Sequence, residues 1–177
     1  MNVELEPLEI IAAVYHGGSM SEHKQCQIAS GEVIATRQHG LSPFERTLVG
    51  TLGEMAVGKL LGIKVKPQLL RGGDGGTDLV YRGQKIQVKT VRRFYKDVFA
   101  KMQNPDEFVS DYLFLCHVDS AVSIKVHGFV SKQRFHKYAA KTNFEHGDTW
   151  AISQQHFIAA ARFDEAIDHA ANSNRAL

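Results

Sequence analysis

The stretch TDLVYRGQKIQVKTV, residues 77–91, decides the fold. Two runs rich in β-branched and aromatic residues flank Arg82 and Gly83, the pattern of a tight β-hairpin. Pairing outward from that turn sets Asp78 opposite Gln87, and a four-residue loop over 81–84 keeps the same register. Opposed side chains share a face, with Cβ atoms about 4.5–5.5 Å apart. Lys89, two positions on, lies on that face too, and its partner position is Gly76, which has no side chain to obstruct it. Leu79, Ile86 and Val88 point the other way, toward a core. Polar and charged groups turned inward cost free energy unless they are paired or bind something. The hairpin therefore raises the question of a ligand.

Outward from the hairpin, SPFERTLVGTLGEMAVGKLLG (42–62) reads as the strongest helix. Ser42 caps it, Pro43 suits its first position, and Glu45 completes a capping box. Phe44, Leu48, Leu52, Met55 and Leu60 make one apolar face. Glu54 lies on the flank of Gly50 and Gly58, where missing side chains allow a close approach to a sheet. KVKPQLL (64–70), broken by Pro67, predicts an edge or irregular strand. DYLFLCHV (111–118) is continuous enough in apolar residues for a buried central strand, and SIKVHGFV (123–130) follows after a DSA turn. PLEIIAAVYHGG predicts a short helix ending at Gly17, and residues 18–41 part helix, part loop. SKQRFHKYAAK and SQQHFIAAARFDEAIDHAA predict two C-terminal helices capped by Ser131 and Ser153, and ANSNRAL a frayed end. The expected fold is one α/β domain over 1–177, with a mixed central sheet flanked by helices. Within it, 1–41 form an N-terminal extension, 42–130 carry the core motifs, and 131–177 are C-terminal helices.

Composition narrows the class. A chain of 177 residues, 44% hydrophobic with net charge +2, can bury one real core. Cys26 and Cys116 suit neither a disulfide framework nor a zinc spacing, and the nine histidines show no metal-ligand spacing, which reads as scattered surface or core histidine. The N-terminus has no basic start, and no apolar run is long enough for a signal peptide or a membrane span. A soluble, cytoplasmic protein without a membrane partner is expected.

The hairpin groups suit a hard divalent ion and a phosphodiester. Magnesium takes oxygen ligands, so Asp78, the Gln87 amide oxygen and one further acid make a partial shell; Glu54 is the candidate for that acid. Lys89 can orient an attacking water or stabilise developing charge. With these residues in this order, the sequence resembles the PD-(D/E)XK nuclease superfamily. The resemblance spans about residues 42–130: a helix glutamate in GTLGEMAVGKLLG, an aspartate in GGTDLV, and QVK where the family has (D/E)-x-K. It implies a restriction-endonuclease-like core and a metal-dependent deoxyribonuclease, more an endonuclease than an exonuclease, with a structure-selective resolvase or repair nuclease expected ahead of a restriction-type enzyme because no separate target-recognition segment stands out. It further implies Glu54, Asp78 and Gln87 as ligands of Mg²⁺ or Mn²⁺, Lys89 as the fourth catalytic residue, and DNA as partner. Thr77 stands in place of the family proline. Gln87 stands in place of the usual acid, which removes one negative charge from the metal site; some type IV restriction enzymes of the superfamily carry glutamine there.

From Arg82 to Lys101 there are seven basic residues against one acid, Asp97, with Phe94 and Tyr95 interleaved. Lys85, Arg92, Arg93 and Lys96 are the candidate phosphate contacts. Plainer readings stand beside these. Asp78 and Lys89 alone could be a surface ion pair, the basic run a solvated face, Asp74 a turn residue, Asp111 a strand start, and Trp150 core. The rival function is a non-catalytic DNA-binding or assembly protein that kept the fold, and a homodimer is compatible with either.

Overall fold

The structure, a computed structural model, describes residues 1–29, 42–65, 76–92, 99–102, 104–120, 122–144 and 147–173. Among them the chain runs β1 (Asn2–Glu4), α1 (Pro7–Ala29), α2 (Pro43–Leu61), β2 (Leu79–Tyr81), β3 (Gln84–Val91), β4 (Phe99–Met102), β5 (Tyr112–Val118), β6 (Ser123–Ser131), α3 (Lys132–Tyr138), β7 (Ala140–Phe144), β8 (Gly147–Ser153) and α4 (Phe163–Ser173). Five strands form a mixed sheet in the order β1-β6-β5-β3-β2, in which only β3 and β5 are parallel. A second, antiparallel sheet has the order β4-β8-β7. The fold is α/β, a mixed central sheet flanked by helices.

Local chemistry explains the best-formed elements. Arg82 and Gly83 both take positive φ, 50° and 80°, the type I′ geometry whose twist matches paired strands. Arg82 bears that conformation while its guanidinium reaches α4, 2.6 Å from Asp168 and 3.5 Å from Asp164. α2 begins with a complete capping box: the Ser42 hydroxyl accepts the Glu45 N–H, and the Glu45 carboxylate accepts the Ser42 N–H. It ends at Gly62 in the left-handed conformation.

The sheet has two buried faces. On one, Leu52, Met55, Ala56 and Val57 of α2 pack with Ile86, Val88, Phe114 and Cys116. Phe163, at the start of α4, closes this side, its ring 4.8–5.0 Å from Phe129, Phe114 and Tyr112. On the other, Leu113, Leu115 and Val130 pack with Phe135 of α3 and with Ala100, Met102 and Ile152 of the small sheet. β5 is buried by layers on both sides, which is why its sequence is almost unbroken apolar.

Several expectations need correction. α1 does not stop at Gly17 but runs to Ala29; Gly17 is buried against the Phe44 ring of α2. The helix expected over 131–141 ends at Tyr138, and Ala140–Phe144 becomes β7, because pairing with β8 outweighs the local helical pattern of KYAAK. Ser153 ends β8 and makes no side-chain cap; two 3-10 turns, Gln154–His156 and Ala160–Arg162, precede the shorter α4. Strands β1, β4, β7 and β8 are additions to the expected elements. Lys64 and Val65 are not in a strand, and the rest of the KVKPQLL segment lies outside the described residues, as do 30–41, Asp74 and residues 174–177. Trp150 is half-buried on β8 rather than core.

Candidate active site

β2 and β3 pair in the register the turn sets: Tyr81 with Gln84, Val80 with Lys85, Leu79 with Ile86. The ladder then departs from the simple extension. The Asp78 N–H donates to the Ile86 carbonyl at 2.9 Å, so Asp78 and Leu79 both face Ile86, as at a β-bulge. With β2 ended, the Val88 N–H on that edge has no strand to bond, and a buried amide needs an acceptor. The Asp78 carboxylate supplies it, Oδ2 accepting from Val88 N at 2.5 Å. Asp78 is therefore not simply opposite Gln87; it is folded onto the backbone between Gln87 and Lys89.

Gln87 and Lys89 lie on the face opposite Ile86 and Val88, as the alternation predicts. In the parallel ladder Gln87 is level with Leu113 and Lys89 with Leu115. Gln87 is only 8% exposed, and its Oε1 is buried with no hydrogen-bond partner. Lys89 is half-buried and Lys85, in the same row, is exposed.

Glu54 is half-buried on α2. The glycine that lets the helix approach the sheet is Gly53, where a Cβ would overlap the Thr90 side chain. At Gly50 a Cβ would make only an ordinary 3.9 Å contact, with Glu54 Oε1, and at Gly58 it would overlap Val65 rather than the sheet. The expectation for Gly50 and Gly58 thus shifts to Gly53, which seats α2 against Thr90, on the face of β3 that carries Ile86 and Val88 rather than the face of Gln87 and Lys89.

Ser110, which the sequence does not mark, and Asp111, read as a strand start, hold this corner together. Ser110, fully buried, donates to the Gly76 carbonyl at 2.7 Å and lies 3.2 Å from the Thr77 hydroxyl. It pins the chain two residues before Asp78. Asp111 does more than start its strand: its carboxylate accepts the Lys85 N–H at 2.7 Å and its own N–H donates to the Lys85 carbonyl. A serine and an aspartate before a strand carry no pattern that would mark them.

Of the candidate phosphate contacts, Lys85 is exposed and Arg92 half exposed. Arg92 reaches across to α2, its Nη1 2.8 Å from Glu45 Oε1. The Ser42 backbone and hydroxyl, followed by Arg92, hold the Glu45 carboxyl below its ordinary pKa. Arg93 and Lys96 lie outside the described residues. Among the described residues no three His, Cys, Asp or Glu gather as a metal-holding group; the candidate set has two carboxylates and one amide. No described helix is long and apolar enough to cross a membrane. No protein-family model matches the chain, and neither does any curated protein.

Proposed function

We propose that the chain is a metal-dependent deoxyribonuclease of the PD-(D/E)XK kind, cutting DNA internally. The observation that carries this reading is the corner built by Asp78 and the Gln87–Lys89 segment. There a carboxylate is tied to the Val88 N–H, and the buried amide oxygen of the preceding residue, Gln87, lacks a hydrogen-bond partner. A buried acceptor without a donor fits a cation, since a hard divalent ion takes neutral and charged oxygens together. Asp78, Gln87 and Glu54 are the residues that would hold Mg²⁺ or Mn²⁺. When bound, the ion supplies Lewis-acid stabilisation of charge on the phosphoryl oxygens.

The chain's own groups supply the rest. Lys89 presents an ammonium two residues from Gln87, where it can hold the attacking water by hydrogen bond and stabilise negative charge on the phosphate. Asp78 is fixed by one oxygen through Val88 N, which reduces the reorganisation needed at the moment of reaction. Lys85, in the same row as Lys89, can position the strand by its phosphates. A non-catalytic DNA-binding protein is the second reading, favoured by the missing acid at Gln87.

The test is divalent-dependent cleavage of single-stranded, duplex, flap and four-way DNA by the purified chain. Asp78→Asn, Lys89→Ala and Glu54→Gln should each lose most cleavage, by a hundredfold or more (~3 kcal/mol of barrier), with folding retained. Full activity in folded Asp78→Asn or Lys89→Ala removes the site. Absence of cleavage on every substrate, with DNA binding kept, favours the second reading.

A further inference from the structure

α1 is seated on the rest of the fold by one side only. There Ala13 joins the core and Gly17 is buried against the Phe44 ring of α2, while Lys59 of α2 holds Glu9 at 3.1 Å and Glu6 at 3.5 Å. The helix period turns Leu8, Ile11, Ala12 and Tyr15 to the opposite side, with Val14 on its flank. These residues are exposed: Leu8 79%, Ile11 61%, Val14 44% and Tyr15 78%. No charged residue falls on that stripe between Leu8 and Tyr15. Among the described residues the other exposed large apolar side chains are Met1, Val80, Val109 and Val122, which come from four different parts of the chain.

We propose that this stripe is a homodimer interface, covered by α1 of a second copy packed antiparallel to it. The stripe is symmetric about the point between Ile11 and Ala12, so an antiparallel copy sets Leu8 against the partner's Tyr15 and Tyr15 against the partner's Leu8. Ala12, which is small, lets the helix axes come close at the centre. The same patch meets itself, as a two-fold interface requires. The four large side chains expose roughly 500 Å². Two copies therefore bury on the order of 1,000 Å², the size at which specific interfaces begin. Charge speaks against an anionic occupant. α1 holds one lysine and two glutamates, whereas helices that lie on membranes, and surfaces that track phosphates, are rich in lysine and arginine. The inference does not depend on the nuclease reading, and its residues are separate from Glu54, Asp78, Gln87 and Lys89.

The experiment is sedimentation velocity of the full chain from about 1 to about 200 μM. An interface at the low end of the size range is weak, so the parent should pass from monomer toward dimer across that range. Leu8→Glu and Tyr15→Glu each place a charge at an exposed position and should stay monomeric throughout. Val122→Glu, exposed elsewhere, should dimerise as the parent does. Crosslinking reads the geometry, in a Cys26→Ser background that removes the exposed native thiol. Ala12→Cys should join through a bismaleimide of about 10 Å span, the separation of packed helices. Glu22→Cys should not, since an antiparallel pair holds its two copies about 30 Å apart. A parent that stays monomeric at the highest concentration overturns the proposal, and its co-sedimentation with phosphatidylglycerol vesicles would give the stripe to a membrane surface instead. Dimerisation of Leu8→Glu like that of the parent overturns it too, as does equal linking at positions 12 and 22. Should Leu8→Glu fail to fold, the Ala12→Cys chain decides: linked dimer supports the proposal, and its absence overturns it.

Discussion

Gln87 is the residue on which the site turns. Its amide oxygen is buried without a partner, and an orphaned buried acceptor costs about 1–3 kcal/mol. Leucine has nearly the same volume and no polar atom. Gln87→Leu should therefore melt at a higher temperature than the parent without metal, while needing more magnesium for cleavage. Gln87→Glu should cleave at lower magnesium, because a charged oxygen binds a hard cation more strongly than an amide does. Melting curves with a magnesium titration of all three forms check this; equal magnesium requirements would place Gln87 outside the ligand set. The QxK spacing made Gln87 and Lys89 legible in the sequence, because strand alternation alone sets their face. Ser110 was not legible. Its partners, the Gly76 carbonyl and the Thr77 hydroxyl, are distant in the chain, and only the folded topology brings them to it. The bulge at Asp78 escaped for a similar reason, since it depends on where β2 stops.

At the level of elements, the site depends on how closely α2 approaches β3. Glycine in a helix costs about 1 kcal/mol relative to alanine, so Gly53→Ala would stabilise an exposed helix. Here the added methyl would overlap Thr90, and overpacking costs roughly 1–3 kcal/mol. Gly53→Ala should thus lower stability, and Thr90→Ala should recover most of the loss. The Thr90 hydroxyl is buried with no hydrogen-bond partner, so Thr90→Ala alone should cost little. A denaturant double-mutant cycle measures the coupling; additivity would mean that Gly53 and Thr90 are not the contact that sets the helix. α2 and the hairpin were readable from sequence because a capping box and a type I′ turn are local. β4, β7 and β8 were not, because each is a strand only by virtue of a partner elsewhere. KYAAK carries as much helical as strand preference until Lys141 and Thr142 pair with Trp150 and Thr149.

At the scale of the molecule, burial lowers the pKa of three of the described histidines, His16 on α1 and the pair His117 and His127 where β5 and β6 meet the N-terminus, and these set the response to mild acid. His117 is buried and its ring centre lies 6.1 Å from that of His127, while the Met1 amine donates to the Val126 carbonyl between them and Lys125. Burial lowers the pKa of both histidines. For His127 the Lys125 and His117 charges and the N-terminal amine add to burial and bring it to about 4. For His117, Asp119 opposes the shift and Lys125 adds to it. A histidine in the unfolded chain binds its proton near pH 6.5 (~6.5). Between that pH and about 4 the unfolded state holds more protons than the folded one, so stability rises with pH across this window. The contribution is complete above the unfolded pKa and is lost as pH falls through the folded one. The depressed carboxyls, Glu45 and Asp148, act only below the ordinary carboxylate range, which leaves the upper half of the window to the histidines. The expected outcome is a urea midpoint that falls steadily from about pH 6.5 to 5 in the parent and falls less in His127→Phe, which cannot titrate. An equal fall in both would assign the acid sensitivity to other groups. Cleavage at neutral pH should be the same in both, because His127 lies on β6, two strands from Lys89.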